Sequence, residues 1–301
     1  MIYTVTLNPA LDHVVRLSEL EVGETNRMEA ESLSAGGKGI NVSKVLKNLG
    51  ERSIAMAFVA GFTGHELERR LRDEEGILCD FVHVKEGFTR INVKIKADKE
   101  TEINGPGLEP TSHEIESMLK KFKDLKDSDL LFLSGSIPSA LGSDFYRRIM
   151  EGLKDKKVRI AVDTVGEALR QTLDLKPFLV KPNKRELEDF FKVEINNDGD
   201  IVTYARELQK LGAQNIIVSL GGDGAYFLSM VGDSRFLPAP KGQVVDTVGA
   251  GDSLVAGFMY AVKNGYSLTD AFKFGVSCGS ATAFSSQLGT KEEILEIYKN
   301  L

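Results

Sequence analysis

The chain has 301 residues, 42% of them hydrophobic and 27% charged, with a mean hydropathy of -0.14. These proportions are those of a folded globular protein and exclude disordered and fibrous classes. Lys+Arg 38 against Asp+Glu 44 leaves a net charge of -6, and no basic block interrupts the sequence, which argues against a nucleic-acid partner.

From the N-terminus, the first residues lack a basic segment followed by an apolar one and meet Asn8, Pro9 and Asp12 early, so no targeting segment is expected and the chain is assigned to the cytoplasm. Strands are predicted at 2–7, 54–59, 130–134, 158–163, 178–181 and 216–219. Apolar spacing of i, i+3, i+4 predicts helices at 41–49, 66–75, 115–122, 145–153 and 201–211. This alternation predicts βαβ units around a largely parallel sheet in one domain spanning 1–301. Two stretches break the pattern: 11–33 is polar and irregular, and 81–103 alternates like an exposed antiparallel strand. They are expected to pair as a small sheet beside the core. Alternation sets Thr89, Ile91, Val93 and Ile95 on one face and Arg90, Asn92, Lys94 and Lys96 on the other. That second face is either a wet surface or a basic cover for an anion. Residues 274–290 carry no charge but are too rich in Ser, Thr and Gly to span a bilayer.

The densest chemistry lies in Asp246-Thr-Val-Gly-Ala-Gly-Asp-Ser253, a Gly-rich turn opening an apolar helix. Such a turn aims unpaired amides outward and suits phosphate oxygens. Asp252 in its first turn either caps the helix or accepts a proton from an attacking hydroxyl, as an ordinary low-pKa carboxylate. Gly36, Gly37 and Gly39 around Lys38 repeat the arrangement, with Asn41 three residues beyond Lys38. Neither G-x-x-x-x-G-K-[ST] nor G-x-G-x-x-G after the first strand occurs. Val180-Lys-Pro-Asn-Lys-Arg-Glu186 and Ser219-Leu-Gly-Gly-Asp-Gly-Ala225 follow predicted strands, on the edge where parallel sheets bind ligands. Asn183 and Glu186 are placed to share a magnesium–water cluster, or simply to start a helix. Cys79 and Cys278 read as buried thiols, and the four histidines show no metal spacing.

Together these motifs resemble the ribokinase-like, PfkB-type carbohydrate kinases along essentially the whole chain. Asp246 to Asp252 is similar to that family's C-terminal signature, Gly36-Gly-Lys-Gly-Ile-Asn41 to its N-terminal one, and Asn183-Lys-Arg-Glu186 to its N-x-x-E motif. Thr6-Leu-Asn-Pro-Ala-Leu-Asp12, Thr89-Arg-Ile-Asn-Val-Lys94, Ser134-Gly-Ser-Ile-Pro138 and Val180-Lys-Pro-Asn183 resemble its phosphosugar-kinase branch, with Ile137 where that branch more often has Leu. The resemblance implies a mostly parallel α/β sheet flanked by helices, a small β-sheet lid, and a homodimer formed through the lid. It implies ATP and Mg2+, and transfer of phosphate to the C6 hydroxyl of fructose 1-phosphate. Tagatose 6-phosphate and fructose 6-phosphate are alternative acceptors, and a non-catalytic sugar-phosphate sensor is the rival outside enzymes. By the same resemblance Asp252 is the base and Gly249, Ala250 and Gly251 form the anion hole. Asp12, Gly37 and Asn41 meet sugar hydroxyls, and Arg90, with Lys38 and Arg27, holds the substrate's phosphate. Lys181, Asn183, Ser219, Gly221 and Gly224 line the ATP groove, Glu186 organises magnesium, and 280–286 borders the adenine.

Overall fold

The computed structural model describes residues 1–301. In chain order its elements begin with β1 (Ile2–Thr6), β2 (Ala10–Arg16), β3 (Ala30–Gly36), α1 (Lys38–Asn48), β4 (Ile54–Val59), α2 (Gly61–Arg69), β5 (Leu78–Cys79) and β6 (Val82–His83). They continue through β7 (Arg90–Lys96), β8 (Thr101–Ile103), α3 (Ser112–Lys121), β9 (Leu130–Ser134), α4 (Phe145–Glu151), β10 (Arg159–Asp163), α5 (Gly166–Arg170), β11 (Leu179–Val180), α6 (Lys184–Phe191) and α7 (Asp198–Leu211). The last third holds β12 (Asn215–Ser219), β13 (Ala225–Leu228), β14 (Ser234–Leu237), α8 (Ala250–Lys263), α9 (Leu268–Phe284) and α10 (Lys291–Lys299).

The main sheet runs β14-β13-β12-β11-β10-β9-β1-β4-β5, with β6 also on β4. From β12 to β5 every pairing is parallel, and only β13 and β14 are antiparallel. A parallel sheet is covered on both faces, so its strands are apolar at consecutive positions. In β9, Leu131 and Leu133 pack on one side with Met118, Phe145 and Leu187, while Leu130 and Phe132 pack on the other with Val42, Val255 and Phe272. The helices α3 to α7 therefore cover one face, and α1 with α8 to α10 the other. No helix is long and apolar enough to cross a membrane.

A second sheet has the order β3-β2-β7-β8. It differs in detail from the lid expected at 11–33 and 81–103. The first stretch is irregular only over 17–29; on either side β2 and β3 form an antiparallel pair from Ala10↔Gly36 to Arg16↔Ala30. In the second, Val82 and His83 belong to the main sheet, and β7 is parallel to β2, with Asp12 opposite Asn92. Both strands leave the core at the same edge and so run the same way, while β3 and β8, on the outer sides, return antiparallel.

Helix starts also shift. α1 begins at Lys38, three residues before expectation, because Gly37 at φ 131 turns the chain and the Ile40 amide donates to Thr6 Oγ1. α7 begins at Asp198 because the Asn197 side chain caps the Asp200 amide. The single helix expected at 66–75 is α2 followed by one wide π turn over Arg70–Glu74, where the Glu75 amide reaches back to Arg70 O; Leu67 and Leu71 both stay buried.

Candidate active site

The carboxyl ends of β1, β9, β10, β11 and β12 and the starts of α1, α6 and α8 converge on one edge of the main sheet. Gly249, left-handed at φ 80, breaks the chain before α8. The Gly249, Gly251 and Asp252 amides have no protein acceptor, whereas the Ala250 amide donates to Thr247 O at 3.2 Å. The open donors at this helix start are therefore 249, 251 and 252, and Ala250 is drawn back into the turn. This corrects the expected set of 249, 250 and 251.

Asp252 is 6% exposed, and its Oδ2 accepts a 2.8 Å hydrogen bond from Asn41 Nδ2. Asn41 thus orients the carboxylate, a role the expected sugar contact did not include. Burial, and then the nearby Asp163, push the Asp252 carboxyl up to about 6, against the pull of Lys38, Asn41 and Lys181. The group lies above the ordinary carboxylate range that the reaction would tolerate, because it sits among buried neighbours of both signs.

Asp163, at the end of β10, joins the cations. Its Oδ2 lies 3.3 Å from Lys38 Nζ and its Oδ1 3.6 Å from Lys181 Nζ. Burial opposes ionisation of Asp163, but Lys181 and Lys38 outweigh it and hold the carboxyl below its usual range. For Lys38, burial is likewise outweighed by the Asp163, Asp252 and Glu186 carboxylates, so its ammonium is held more firmly than usual. Lys181 is 6% exposed and lies beside Gly251, where a Cβ would approach its ammonium to 3.3 Å. Sequence reading did not single out Asp163, although its signal was present: a carboxylate ending a parallel strand on the binding edge.

Across the site stands the polar face of β7. Asp12 accepts from Asn92 Nδ2 at 2.9 Å and pairs with Lys94 at 3.1 Å, and Lys96 pairs with Asp246 at 3.1 Å, linking the small sheet to the loop before α8. Two of the three cations on this face are therefore matched by carboxylates. Arg90 is the exception. Its guanidinium donates only to Asn8 O at 3.0 Å and Gly105 O at 3.3 Å, its Nε is buried without a partner, and burial lowers its pKa. Gly36 sits against Asp12, where a Cβ would collide with the carboxylate, and Gly37 sits against Thr6. Arg27 is not brought to this place: it is exposed between β2 and β3 and forms no ion pair.

On the other flank, Asn183 caps α6, its Oδ1 accepting from the Glu186 amide while Glu186 Oε2 accepts from the Asn183 amide, both at 2.8 Å. Ser219 bridges to Asn183, and together with Gly221 they line a groove of about 440 Å3. Gly224, at φ 102, lies where a Cβ would strike Leu237 O. Residues 280–286 straddle the end of α9, whose Phe284 ring lies against Gly242. No group of three or more His, Cys, Asp or Glu side chains is arranged to hold a metal. Glu186 keeps one carboxylate oxygen outside its capping box, which suits a magnesium ion held chiefly by water and nucleotide phosphates.

The sequence matches the pfkB family carbohydrate kinase description over residues 5–295. It is 44% identical to a 1-phosphofructokinase of Bacillus subtilis, covering 99% of this chain and 97% of that protein. It is 35% identical to a D-tagatose-1-phosphate kinase of Bacillus licheniformis, covering 96% and 94%. Its fold is similar to that of Escherichia coli phosphofructokinase-2 in complex with substrates and products, with a TM-score of 0.93, 28% identity and coverage of 100% and 99%. The buried carboxylate at an open helix start, the lysines held around it and these likenesses agree: the chain belongs to the pfkB family of carbohydrate kinases.

Proposed function

We propose that the protein transfers the γ-phosphoryl group of ATP to the C6 hydroxyl of fructose 1-phosphate, giving fructose 1,6-bisphosphate. The observation that carries this reading is the presence, within one site, of a buried base and a half-buried guanidinium that lacks a carboxylate partner: Asp252 on α8 and Arg90 on β7. An acceptor with a phosphate at one end and a hydroxyl at the other fits between them.

In this mechanism Arg90 takes the sugar's phosphate through its uncompensated charge and guanidinium N–H donors. Asp12, fixed by Asn92 and Lys94, and the Gly37 turn receive sugar hydroxyls. Asp252 Oδ accepts the C6 proton as the oxygen attacks, and its second oxygen stays bonded to Asn41. The Gly249, Gly251 and Asp252 amides, with Lys181, steady the charge on the transferred group. Lys38 is committed to Asp163 and works through that carboxylate as a positioning residue. Asn183, Ser219, Gly221 and Gly224 form the wall for ATP. Glu186, together with the nucleotide, would hold magnesium, which would supply neutralisation of phosphate charge. Bringing the reactants into line is the larger part of the catalysis, because phosphoryl transfer asks little covalent work of the protein.

A second acceptor, tagatose 1-phosphate, is favoured by one finding, the relative named D-tagatose-1-phosphate kinase. An ADP-release assay across fructose 1-phosphate, tagatose 1-phosphate, fructose 6-phosphate, tagatose 6-phosphate and fructose decides. The reading predicts the highest kcat/KM for fructose 1-phosphate; equal rates with free fructose would overturn it. The proposal includes work in the cytoplasm, where ATP is supplied, and a homodimer through the outer face of the lid, where Ile103 and Met28 are exposed; light scattering in solution tests the dimer.

A further inference from the structure

A large cavity lies apart from the site just described. It measures about 920 Å3 and opens at the opposite edge of the main sheet, among residues at the amino ends of β9, β10, β11 and β12. Its floor is apolar, with Leu130, Ile160 and Phe178, and six cations line it: Lys154, Lys156, Lys157, Arg159, Lys176 and Lys263. No carboxylate lines it.

This concentration of charge occurs in a protein of net charge -6. Of the six, only Lys263 has a carboxylate partner, Glu51 at 2.6 Å. Lys156 donates to the Lys123 and Leu125 carbonyls, which leaves its charge uncompensated, and the Arg159 guanidinium lies 5.5 Å from the Phe178 ring centre. Of the neighbouring carboxylates, Asp129 is committed to the Met1 amino group and the Lys126 amide, whereas Asp127 accepts from the Lys157 amide at the rim without pairing with any of the six charged groups. Two of the chain's three non-glycine residues with positive φ, Ser128 at 74° and Lys176 at 55°, also lie on this rim. A concave, like-charged surface over an apolar floor focuses its field and attracts counter-charge more strongly than the same lysines would on a flat surface.

We propose that this cavity is a second anion site, taking a small polyanion of the polyphosphate class independently of the catalytic site. The five-residue strand β10 separates Arg159 in the cavity from Asp163 in the active site, about 13 Å at the rise of a strand. At about 0.15 M salt, where charges are screened over about 8 Å, the two sites are electrostatically distinct.

The test is calorimetric titration of inorganic tripolyphosphate at that salt concentration. Wild type is compared with Lys154→Gln/Lys157→Gln and with a control of equal charge change elsewhere, Lys120→Gln/Lys299→Gln. The site predicts an equivalent of tripolyphosphate that the first variant loses or binds at least tenfold more weakly. The control binds as wild type, and all three proteins keep the same kcat and KM for ATP and phosphosugar. Equal binding by wild type and the first variant, no binding by wild type, or an equal loss in the control would each overturn the proposal. So would loss of turnover in the first variant, which would place these lysines in the fold or the catalytic machinery.

Discussion

Lys181 and Lys154 stand at opposite ends of the same parallel sheet, in opposite circumstances. Lys181 is 6% exposed, shares Asp163 with Lys38 and has its ammonium fixed beside the start of α8. Lys154 is exposed, carries no ion pair and lies on the rim of an open cavity. At the carboxyl end the protein spends a buried carboxylate on holding its cations still, which suits a reaction whose barrier falls with preorganised charge. At the amino end five of the six cations have no carboxylate partner, which leaves their charge open to an incoming anion.

The contrast is broken most severely by Asp252→Asn, which leaves the fixed cations in place and removes the proton acceptor. kcat should fall by about 10²- to 10⁴-fold with little change in KM. Retained kcat in steady-state assays would remove Asp252 from the base role. Asp163→Asn should come next: it leaves the buried Lys181 ammonium and the half-exposed Lys38 ammonium without their shared carboxylate and should cost about 3 kcal/mol in denaturant unfolding, chiefly through Lys181. It also withdraws a like charge from Asp252, so the acidic limb of the pH–rate profile should move to lower pH. A mere loss of packing would leave that limb where it was. Arg90→Ala should raise KM for the phosphosugar about 10- to 100-fold, the scale of a charged hydrogen bond, and narrow the preference over free fructose.

The pH dependence sharpens the same comparison. With Asp252 at about 6, kcat/KM should decline about tenfold per unit below that pH, because the base must be ionised. Stability moves in the other direction. The folded state holds this proton more tightly than the unfolded chain does, so stability falls as pH rises from the ordinary carboxylate range through about 6, and stays lower above it. Asp252→Asn should therefore show a higher Tm than wild type at pH 7.5, with the gap closing near pH 4. The smallest expected effect belongs to the other end: Lys154→Gln/Lys157→Gln should leave kcat unchanged.

Much of this organisation was legible in the sequence. The apolar run at 130–134 reads as a buried strand because both of its faces are covered, and the glycine clusters before α1 and α8 mark the binding edge by chemistry alone. What was not legible depended on distant neighbours. Asp163 looks like any strand-end carboxylate until β10 brings it between Lys38 and Lys181, residues 125 and 18 positions away in sequence. The raised pKa of Asp252 follows from burial and from that same partner. The alternation at 89–96 separated the two faces of β7, but it could not show that Asp12 and Asp246 would match Lys94 and Lys96. Nor could it give the direction of pairing, which depends on where β2 and β7 leave the core. Arg27 was a candidate from the family resemblance alone, and its loop carries it away from the site within this chain.

The parallel pairing of β2 with β7 also bears on the order in which the molecule assembles. Asp12 and Asn92 are opposite each other but 80 positions apart, with β4, α2 and β6 of the main sheet between them. The loop that must close is held short only once those core elements are packed, so the small sheet is the last part to form and the first to open. Half-unfolded molecules should then keep Asp252, Asn41 and Asp163 in register while Arg90 and Asp12 drift apart. Such molecules would retain the catalytic groups but lose the grip on the sugar, and bound phosphosugar should protect the β2–β7 strands from proteolysis more than any other part of the chain.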